Sequence, residues 1–179
     1  MQSAHLALVS ETKSSRELHR LTDVHSSAVR SRNMSAIRAK DTRPEMLIRQ
    51  GLHKRGLRFR LHVGRLPGSP DLVLPKYRTV IFVHGCFWHG HGCHLFKLPK
   101  TRTEFWSTKI DANVRRDIIA QEELSALGWR IGIVWECALK GKCKIPLDAL
   151  LDQLVGWLDT PGASTLELTG GSVERVSVT

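Results

Sequence analysis

The sequence predicts an α/β fold, a sandwich of helices around a mixed β-sheet. Of its 179 residues, 41% are hydrophobic and 25% are charged, a balance typical of one globular domain with a substantial core. From residue 42 onward, the predicted elements follow the order helix, three strands, helix, strand, helix, and this order is typical of helices packed on a sheet. Pro- and Gly-containing turns separate the short apolar runs, as expected between strands.

Two helices are predicted before the strands. Residues 26–39 form a short, weakly amphipathic helix with arginines around an apolar side. Thr42 and Glu45 have the spacing of a capping box with Pro44 in the first turn, so a second helix begins there and ends near Gly56. Its apolar face comprises Leu47, Ile48 and Leu52. The capping box explains Glu45 without a further function, but this carboxylate is equally a candidate metal ligand or supporting group.

Apolar runs predict four strands, at residues 57–61, 71–74, 79–83 and 129–135. The second and third form a hairpin across Pro75-Lys76-Tyr77. Helical periodicity returns at 102–127, where we expect Val114, Ile118 and Leu127 to face the core, and a last amphipathic helix is predicted at 147–158. The domain is therefore expected at 25–160, between a flexible N-terminal arm at 1–24 and a flexible, Gly-rich tail at 161–179.

The charge of the chain indicates a polyanionic partner. The 27 lysines and arginines against 17 acidic residues give a formal net charge of +10, and nucleic acid is the first such partner to consider. No apolar run approaches the roughly 18 residues that a membrane-spanning helix needs, and no signal peptide is recognisable. We therefore expect a cytoplasmic protein with no membrane partner.

Cysteines and histidines cluster in the segment HGCFWHGHGCH at residues 84–94. Zinc prefers four thiolate or imidazole ligands, and Cys86, His91 and Cys93 are spaced so that one loop can supply three of them. Cys137, just after a predicted strand, is a candidate fourth ligand, and Cys143 competes with it. A closed site of four protein ligands would be structural.

A second group of polar residues has the layout of a metal-dependent nuclease. Asp71 stands at the start of one strand and can bind Mg²⁺, whereas the Glu-x-Lys expected on the next strand is absent. The main-chain carbonyl of Val83 can replace the missing oxygen ligand, because Mg²⁺ accepts any oxygen. His84 and His89 are candidates for general base or phosphate contacts, and Asp117 can orient one of them.

Aromatic residues stand beside basic ones in two places. Phe87 and Trp88 lie within the histidine-rich segment, and Trp106 follows Phe105 near Arg102. Large aromatic side chains amid positive charge can enter a base stack and hold DNA open. The remaining tryptophans fit the periodicity of core positions: Trp129, Trp135 and Trp157.

Together, the segments SPDLVL, TVIFVHGCFWHGHGCHLFKLP, TRTEFWSTKIDANVRRD and LGWRIGIVWECAL closely resemble the bacterial very short patch repair DNA mismatch endonuclease family over residues 25–160. The resemblance implies a restriction-endonuclease-like three-layer sandwich with one structural Zn²⁺ and a catalytic Mg²⁺. It also implies a monomer that nicks double-stranded DNA 5′ to the T of a T:G mismatch left by 5-methylcytosine deamination. Recruitment of a mismatch-repair protein is left open.

The resemblance also assigns residues position by position. Asp71 and the Val83 carbonyl become Mg²⁺ ligands, His89 the general base, and His84, Glu45 and Asp117 supporting residues. The zinc ligands become Cys86, His91, Cys93 and Cys137, leaving Cys143 spare. The residues implied to contact DNA are Met34, Phe87, Trp88, Trp106, Lys109 and Asn113. Val83 departs from the family's usual threonine with little expected effect, because only its main-chain oxygen is used.

Two functions of other classes remain as alternatives. A non-catalytic zinc-containing DNA-binding module would explain the charge, the cysteines and the aromatic residues, but would leave Asp71, His84 and His89 without a role. A hydrolase that uses zinc for catalysis would need an open coordination position. An assay for Mg²⁺-dependent nicking distinguishes these alternatives from the endonuclease.

Overall fold

The computed structural model describes residues 40–160, 162 and 164–174. The predicted arm at 1–24 and the predicted helix at 26–39, which contains Met34, lie outside the described residues. The helices are α1 (Arg43–Lys54), α2 (Thr103–Ala126), α3 (Glu136–Leu139) and α4 (Leu147–Asp159). The strands are β1 (Arg60–Leu61), β2 (Leu72–Leu74), β3 (Thr79–His84), β4 (Arg130–Trp135), β5 (Thr165–Thr169) and β6 (Ser172–Glu174).

The six strands form one mixed sheet whose order follows the chain, β1-β2-β3-β4-β5-β6. The pairs β1–β2, β2–β3 and β5–β6 are antiparallel, whereas β3–β4 and β4–β5 are parallel. Parallel neighbours need a crossover, which α2 provides between β3 and β4, and α3 with α4 between β4 and β5. The predicted α/β class, the mixed sheet and the β2–β3 hairpin are confirmed.

Helices cover both faces of the sheet. Side chains of α1 and α4, such as Leu52 and Trp157, share one buried cluster with Ile81 of β3. Leu124 of α2 lies in a second cluster with Val80 and Phe82 of the same strand. Successive residues of β3 thus enter different clusters, because side chains alternate between the two faces of a strand.

The capping box that begins α1 is confirmed. The Glu45 N–H donates to Thr42 Oγ1 at 3.4 Å, and the Thr42 N–H donates back to Glu45 Oε2 at 3.3 Å. Ile48 and Leu52 are fully buried on the face that packs on the core. The cap therefore fixes where the helix begins and which way Glu45 points.

The predicted core face of α2 is partly wrong. Ile118 and Leu127 are 50% and 52% exposed, whereas Ile110 and Leu124 are buried. The stripe that faces the sheet also carries Asp117, which is only partly exposed and has a partner on another element. A polar residue on the buried stripe weakens the apolar period, so the period alone pointed to the wrong side of the helix.

The expectation of a flexible tail at 161–179 is also corrected, because residues 165–174 belong to the sheet. β5 pairs with β4 in parallel, and β6 returns beside β5 after a turn at Gly170 and Gly171. Leu166 and Leu168 are buried, so the Thr-Leu-Glu-Leu-Thr sequence of β5 is an ordinary alternating strand. Gly170 and Gly171 form the hairpin turn between β5 and β6. No helix in the described part of the chain is long and apolar enough to span a membrane.

Candidate active site and metal centre

The candidate site lies at the carboxyl ends of the parallel strands β3 and β4. His84 at the end of β3 pairs with Trp135 at the end of β4. The residues that follow the two strands, Cys86 and Cys137, are fully buried. Parallel pairing thus brings together two cysteines 51 positions apart, and the Cys137 N–H donates to Cys86 Sγ at 3.3 Å.

Three thiols and one imidazole form a compact cluster beside these strand ends. One ligand atom from each of its members lies within 4.8 Å of the others; the members are Cys86, His91, Cys93 and Cys137. Cys143 is not part of this group. Burial raises the pKa of the Cys86 and Cys137 thiols, because the charged thiolate is disfavoured away from water. The donor set is the one zinc prefers in structural sites, so these residues fit that ion.

Backbone N–H groups are directed at the sulfurs of this cluster. Leu95 donates to Cys93 Sγ at 3.4 Å, and Gly170 in the β5–β6 turn donates to Cys137 Sγ at 3.2 Å. A Cβ on Gly170 would lie 2.6 Å from the Cys137 carbonyl oxygen, so only glycine allows this approach. Such hydrogen bonds hold thiolates in place for a metal. The C-terminal hairpin is therefore part of the centre, and sequence reasoning missed Gly170 because it assigned the hairpin to a tail.

Trp135 separates the cysteine cluster from a pair of histidines. Its ring stacks on His91 with centroids 4.2 Å apart, and its edge meets the ring of His84 at 5.3 Å. The indole N–H donates to the Glu167 carboxylate on β5. This hydrogen bond fixes the indole, and the indole in turn supports the rings of His91 and His84.

The histidine pair is stacked and carries a carboxylate on one side. His84 and His89 lie with ring centroids 3.8 Å apart and planes 3° apart. His89 Nδ1 is 2.5 Å from Asp117 Oδ2 of α2, the carboxylate that the sequence analysis expected to orient one of the two histidines. Burial lowers the pKa of His84 to about 3, with a smaller contribution from His89, so its ring is neutral at physiological pH.

Glycine lets the loop that carries His89 approach α2. Gly90 has φ +62°, and a Cβ there would lie 3.1 Å from the side chains of both Ile110 and Val114. A larger residue would push the loop away from the helix and stretch the contact between His89 and Asp117. The Gly90 position is thus part of what aligns the dyad.

Asp71 lies where β2 begins, next to the main chain of β3. Its Oδ2 accepts a hydrogen bond from the Val83 N–H at 2.7 Å, so the structure brings together the two residues that the sequence analysis assigned to Mg²⁺. Burial raises the pKa of Asp71 to about 6, and the Glu45 carboxylate adds to the rise; the Val83 N–H and the Arg49 guanidinium act against it. Clustered, partly dehydrated oxygen ligands fit a hard cation such as Mg²⁺.

Glu45 belongs to a buried ion-pair network that sequence reasoning missed. Its Oε1 lies 2.6 Å from a terminal nitrogen of Arg49 and 3.2 Å from His62 Nε2. Arg49 also pairs with Asp41. The spacing of Glu45 and Arg49, four residues apart on one helix, signals the first contact, but the approach of His62 depends on the fold.

The predicted aromatic residues form one cluster with a cation beside it. Trp106 lies 5.6 Å from Phe87 and 6.1 Å from Trp88 between ring centroids, and Lys109 Nζ lies within 6 Å of both tryptophan rings. Phe105, which was not predicted as a contact, is 45% exposed at the edge of this cluster. A surface cleft of about 640 Å³ adjoins it, lined by Glu104, Phe105, Thr108, Lys109 and Ala112.

Asn113 has an internal partner in the structure. Its amide nitrogen donates to the Trp88 carbonyl at 2.8 Å and so ties the aromatic loop to α2. The sequence analysis expected a DNA contact for this residue. In the described structure, its side chain positions Trp88.

The chain is similar in sequence to DNA mismatch endonucleases and nicking enzymes. A family model described as DNA mismatch endonuclease Vsr matches residues 22–95. The chain is 51% identical over 144 residues to the DNA mismatch endonuclease Vsr of Escherichia coli strain K12, covering 80% of this chain and 92% of that protein. It is 49% identical over 134 residues to the type II nicking enzyme V.XorIIP of Xanthomonas oryzae, covering 74% and 98%. It is 43% identical over 136 residues to V.NmeAIP of Neisseria meningitidis, covering 75% and 97%. Because the chain is 51% identical to such a relative over 92% of that relative's length, it belongs to the Vsr DNA mismatch endonuclease family.

Proposed function

We propose that this protein nicks double-stranded DNA on the 5′ side of the T in a T:G mismatch left by 5-methylcytosine deamination, and so starts very short patch repair. The observation that carries the proposal is the dyad of His89 and Asp117. The His89 ring stacks on the neutral His84, which directly follows Val83, and the Val83 N–H donates to Asp71. The helices on both faces of the mixed sheet support a restriction-endonuclease-like sandwich. In this proposal the enzyme acts as a monomer in the bacterial cytoplasm, and a mismatch-repair protein is a candidate partner.

His89 is the general base in this proposal. Asp117 accepts a hydrogen bond from Nδ1–H, which leaves Nε2 of the same ring free to take a proton from the attacking water. His84, buried and neutral, supports the ring of His89 from one face and does not compete for the proton.

Asp71, the carbonyl of Val83 and, as a supporting carboxylate, Glu45 would hold Mg²⁺. When bound, this ion supplies electrostatic stabilisation of the charge that develops on the scissile phosphate. The chain contributes the orientation of the ligands. The Val83 N–H fixes one oxygen of Asp71, and the Thr42 cap fixes one oxygen of Glu45.

Zinc would hold the segment that enters DNA. The residues between two proposed zinc ligands, Cys86 and His91, include Phe87, Trp88 and the base His89. A closed zinc site would therefore fix the aromatic residues and the base relative to each other.

The aromatic cluster provides mismatch preference in this proposal. A T:G wobble pair stacks less well than a matched pair, so opening the stack beside it costs less. Phe87, Trp88 and Trp106 would enter that opening, and Lys109 beside them would contact the sugar-phosphate backbone. Selectivity would then arise partly from the cost of deforming DNA.

The proposal is tested by nicking of two duplexes that are identical except for a T:G mismatch or a T:A pair at one position. The flanking sequence and its methylation are varied in both. Asp71→Ala is expected to abolish Mg²⁺-dependent nicking and to keep mismatch binding, whereas Asp159→Ala, which changes an exposed carboxylate at the end of α4, serves as the matched control. Trp88→Ala is expected to weaken the preference for T:G over T:A. Nicking by Asp71→Ala at the wild-type rate would refute the site. Mismatch binding by the wild type without any nicking would favour the non-catalytic zinc module.

A further inference from the structure

We propose that Arg49 and His62 form a positioning pair that orients the carboxylate of Asp71 to bind a divalent cation and fixes Glu45 beside it. The inference rests on the proposed role of Asp71 as a metal ligand. It adds two side chains for which the functional assignments above give no role.

The guanidinium of Arg49 determines which nitrogen of the His62 ring carries the proton. One terminal nitrogen of Arg49 lies 2.6 Å from Glu45 Oε1 and 2.7 Å from His62 Nε2. Arginine is always protonated and can only donate, so His62 Nε2 accepts and the ring carries its proton on Nδ1. The same nitrogen forms an ion pair with Glu45 and a hydrogen bond with His62, so Arg49 connects the two residues.

The Nδ1 atom of His62 lies near the second carboxylate oxygen of Asp71. Asp71 Oδ2 is bound by the Val83 N–H, and His62 Nδ1 lies 3.9 Å from Oδ1. This separation exceeds a hydrogen bond, so Oδ1 keeps its capacity to bind a ligand. His62 thus lies between the two carboxylates, with Nε2 at 3.2 Å from Glu45 Oε1 and Nδ1 at 3.9 Å from Asp71 Oδ1.

The backbone holds His62 in this place by an unusual conformation. His62 has φ +44°, in the left-handed region that side chains rarely adopt, and its N–H donates to the Asp71 carbonyl at 3.4 Å. Strain of this kind concentrates at functional sites, where the surrounding structure compensates for it. The main chain and the ring of His62 are therefore both tied to Asp71.

Arg49 also lies among Asp41, Glu45 and His62 and pairs with both carboxylates of that group. The Arg49 and Glu45 side chains are only 9% and 2% exposed, so the charge pair is retained at the cost of dehydration. We therefore assign the network to positioning Asp71 and Glu45.

The test measures cation binding apart from catalysis. His62→Ala is expected to raise about tenfold the Mg²⁺ concentration that half-saturates single-turnover nicking of a T:G duplex, because loss of a supporting partner weakens metal affinity by about 10–100-fold. Mn²⁺ affinity, measured by electron paramagnetic resonance on the complex with an uncleavable phosphorothioate duplex, should fall by the same factor. Binding of the T:G duplex in EDTA should stay within about twofold, since the DNA contacts are unchanged.

Two substitutions sharpen the test. His62→Gln should restore most of the Mn²⁺ affinity, because its amide oxygen can accept from Arg49 while its amide nitrogen faces Asp71. Arg49→Lys keeps the buried charge, but its single ammonium cannot pair with Asp41 and also reach Glu45 and His62, as the two terminal nitrogens of Arg49 do. It should therefore shift the metal dependence in the same direction as His62→Ala. His53→Ala, an exposed histidine near the end of α1, is the matched control.

Wild-type Mg²⁺ and Mn²⁺ dependence in His62→Ala would overturn the inference. So would a parallel loss of thermal stability and EDTA-state DNA binding, because that would show a merely structural role. Asp71→Ala distinguishes failure of the proposed metal site from failure of the positioning role of His62. If Asp71→Ala still nicks, the proposed site fails; if it is inactive while His62→Ala behaves as wild type, only the positioning role fails.

Discussion

Replacing Asp71 with asparagine is expected to stabilise the metal-free protein while abolishing nicking. Asparagine has almost the same shape, and its side-chain oxygen can still accept the hydrogen bond from the Val83 N–H. It removes the negative charge that burial and the nearby Glu45 disfavour. The substitution therefore separates the energetic cost of the carboxylate from its proposed use.

The magnitude follows from the pKa of Asp71. A rise from its ordinary 3.8 to about 6 corresponds to about 3 kcal/mol, because each tenfold change in proton affinity is worth about 1.4 kcal/mol. Between these two pH values the folded protein binds this proton more tightly than the unfolded chain does. The contribution of Asp71 to stability is thus fully present below pH 3.8 and is lost as the pH rises through about 6.

Urea unfolding in EDTA from pH 4 to pH 8 measures this effect. The free energies of unfolding of the wild type and Asp71→Asn should be similar at pH 4 and diverge to about 3 kcal/mol in favour of the variant above pH 7. Added Mg²⁺ should stabilise the wild type and leave the variant unchanged. Asp159→Asn, at an exposed position, is the control for removing a charge. Equal stabilities of wild type and Asp71→Asn at every pH would refute the reasoning.

Three further predictions concern the supports of the site. Burial lowers the pKa of His84 to about 3, so as the pH falls this histidine is protonated in the unfolded chain before it is protonated in the folded protein. The free energy of unfolding should therefore fall by up to about 1.4 kcal/mol per pH unit below pH 6.5. His84→Asn should flatten that slope in urea unfolding. Cys137→Ser should release zinc, measured by atomic emission, and lower the melting temperature, whereas Cys143→Ser, outside the cluster, should do neither. Leu124→Ala should cost about 2–5 kcal/mol in unfolding free energy because this side chain is fully buried, whereas Leu127→Ala, at a half-exposed position, should cost less than about 1 kcal/mol; equal costs would contradict the assigned face of α2.

Local chemistry made part of the fold predictable. The capping box at Thr42 and Glu45 and the turn at Pro75 depend on residues within a few positions, and the structure has both where the sequence indicated them. Spacing likewise grouped Cys86, His91 and Cys93. Such features need no knowledge of the rest of the chain.

The features that escaped prediction depend on distant partners. The inward stripe of α2 includes Asp117 because His89 is there to bind it, and no periodicity reveals that. The fourth position of the cysteine cluster stayed open in the residue pattern, because the choice between Cys137 and Cys143 depends on how β4 pairs with β3. The network of Arg49 and His62 depends on α1 meeting the end of β1.

The shared indole of Trp135 has a consequence for the safety of the cell's DNA. An incompletely assembled nuclease is a hazard, because cutting without correct recognition damages the genome. Here one ring lies against both the cysteine–histidine cluster and the histidine pair, at 4.2 Å from His91 and 5.3 Å from His84. A molecule that loses the cluster is therefore expected to lose the support of its histidine pair as well. If that pair performs the chemistry, as proposed, a partly assembled molecule does not cut DNA.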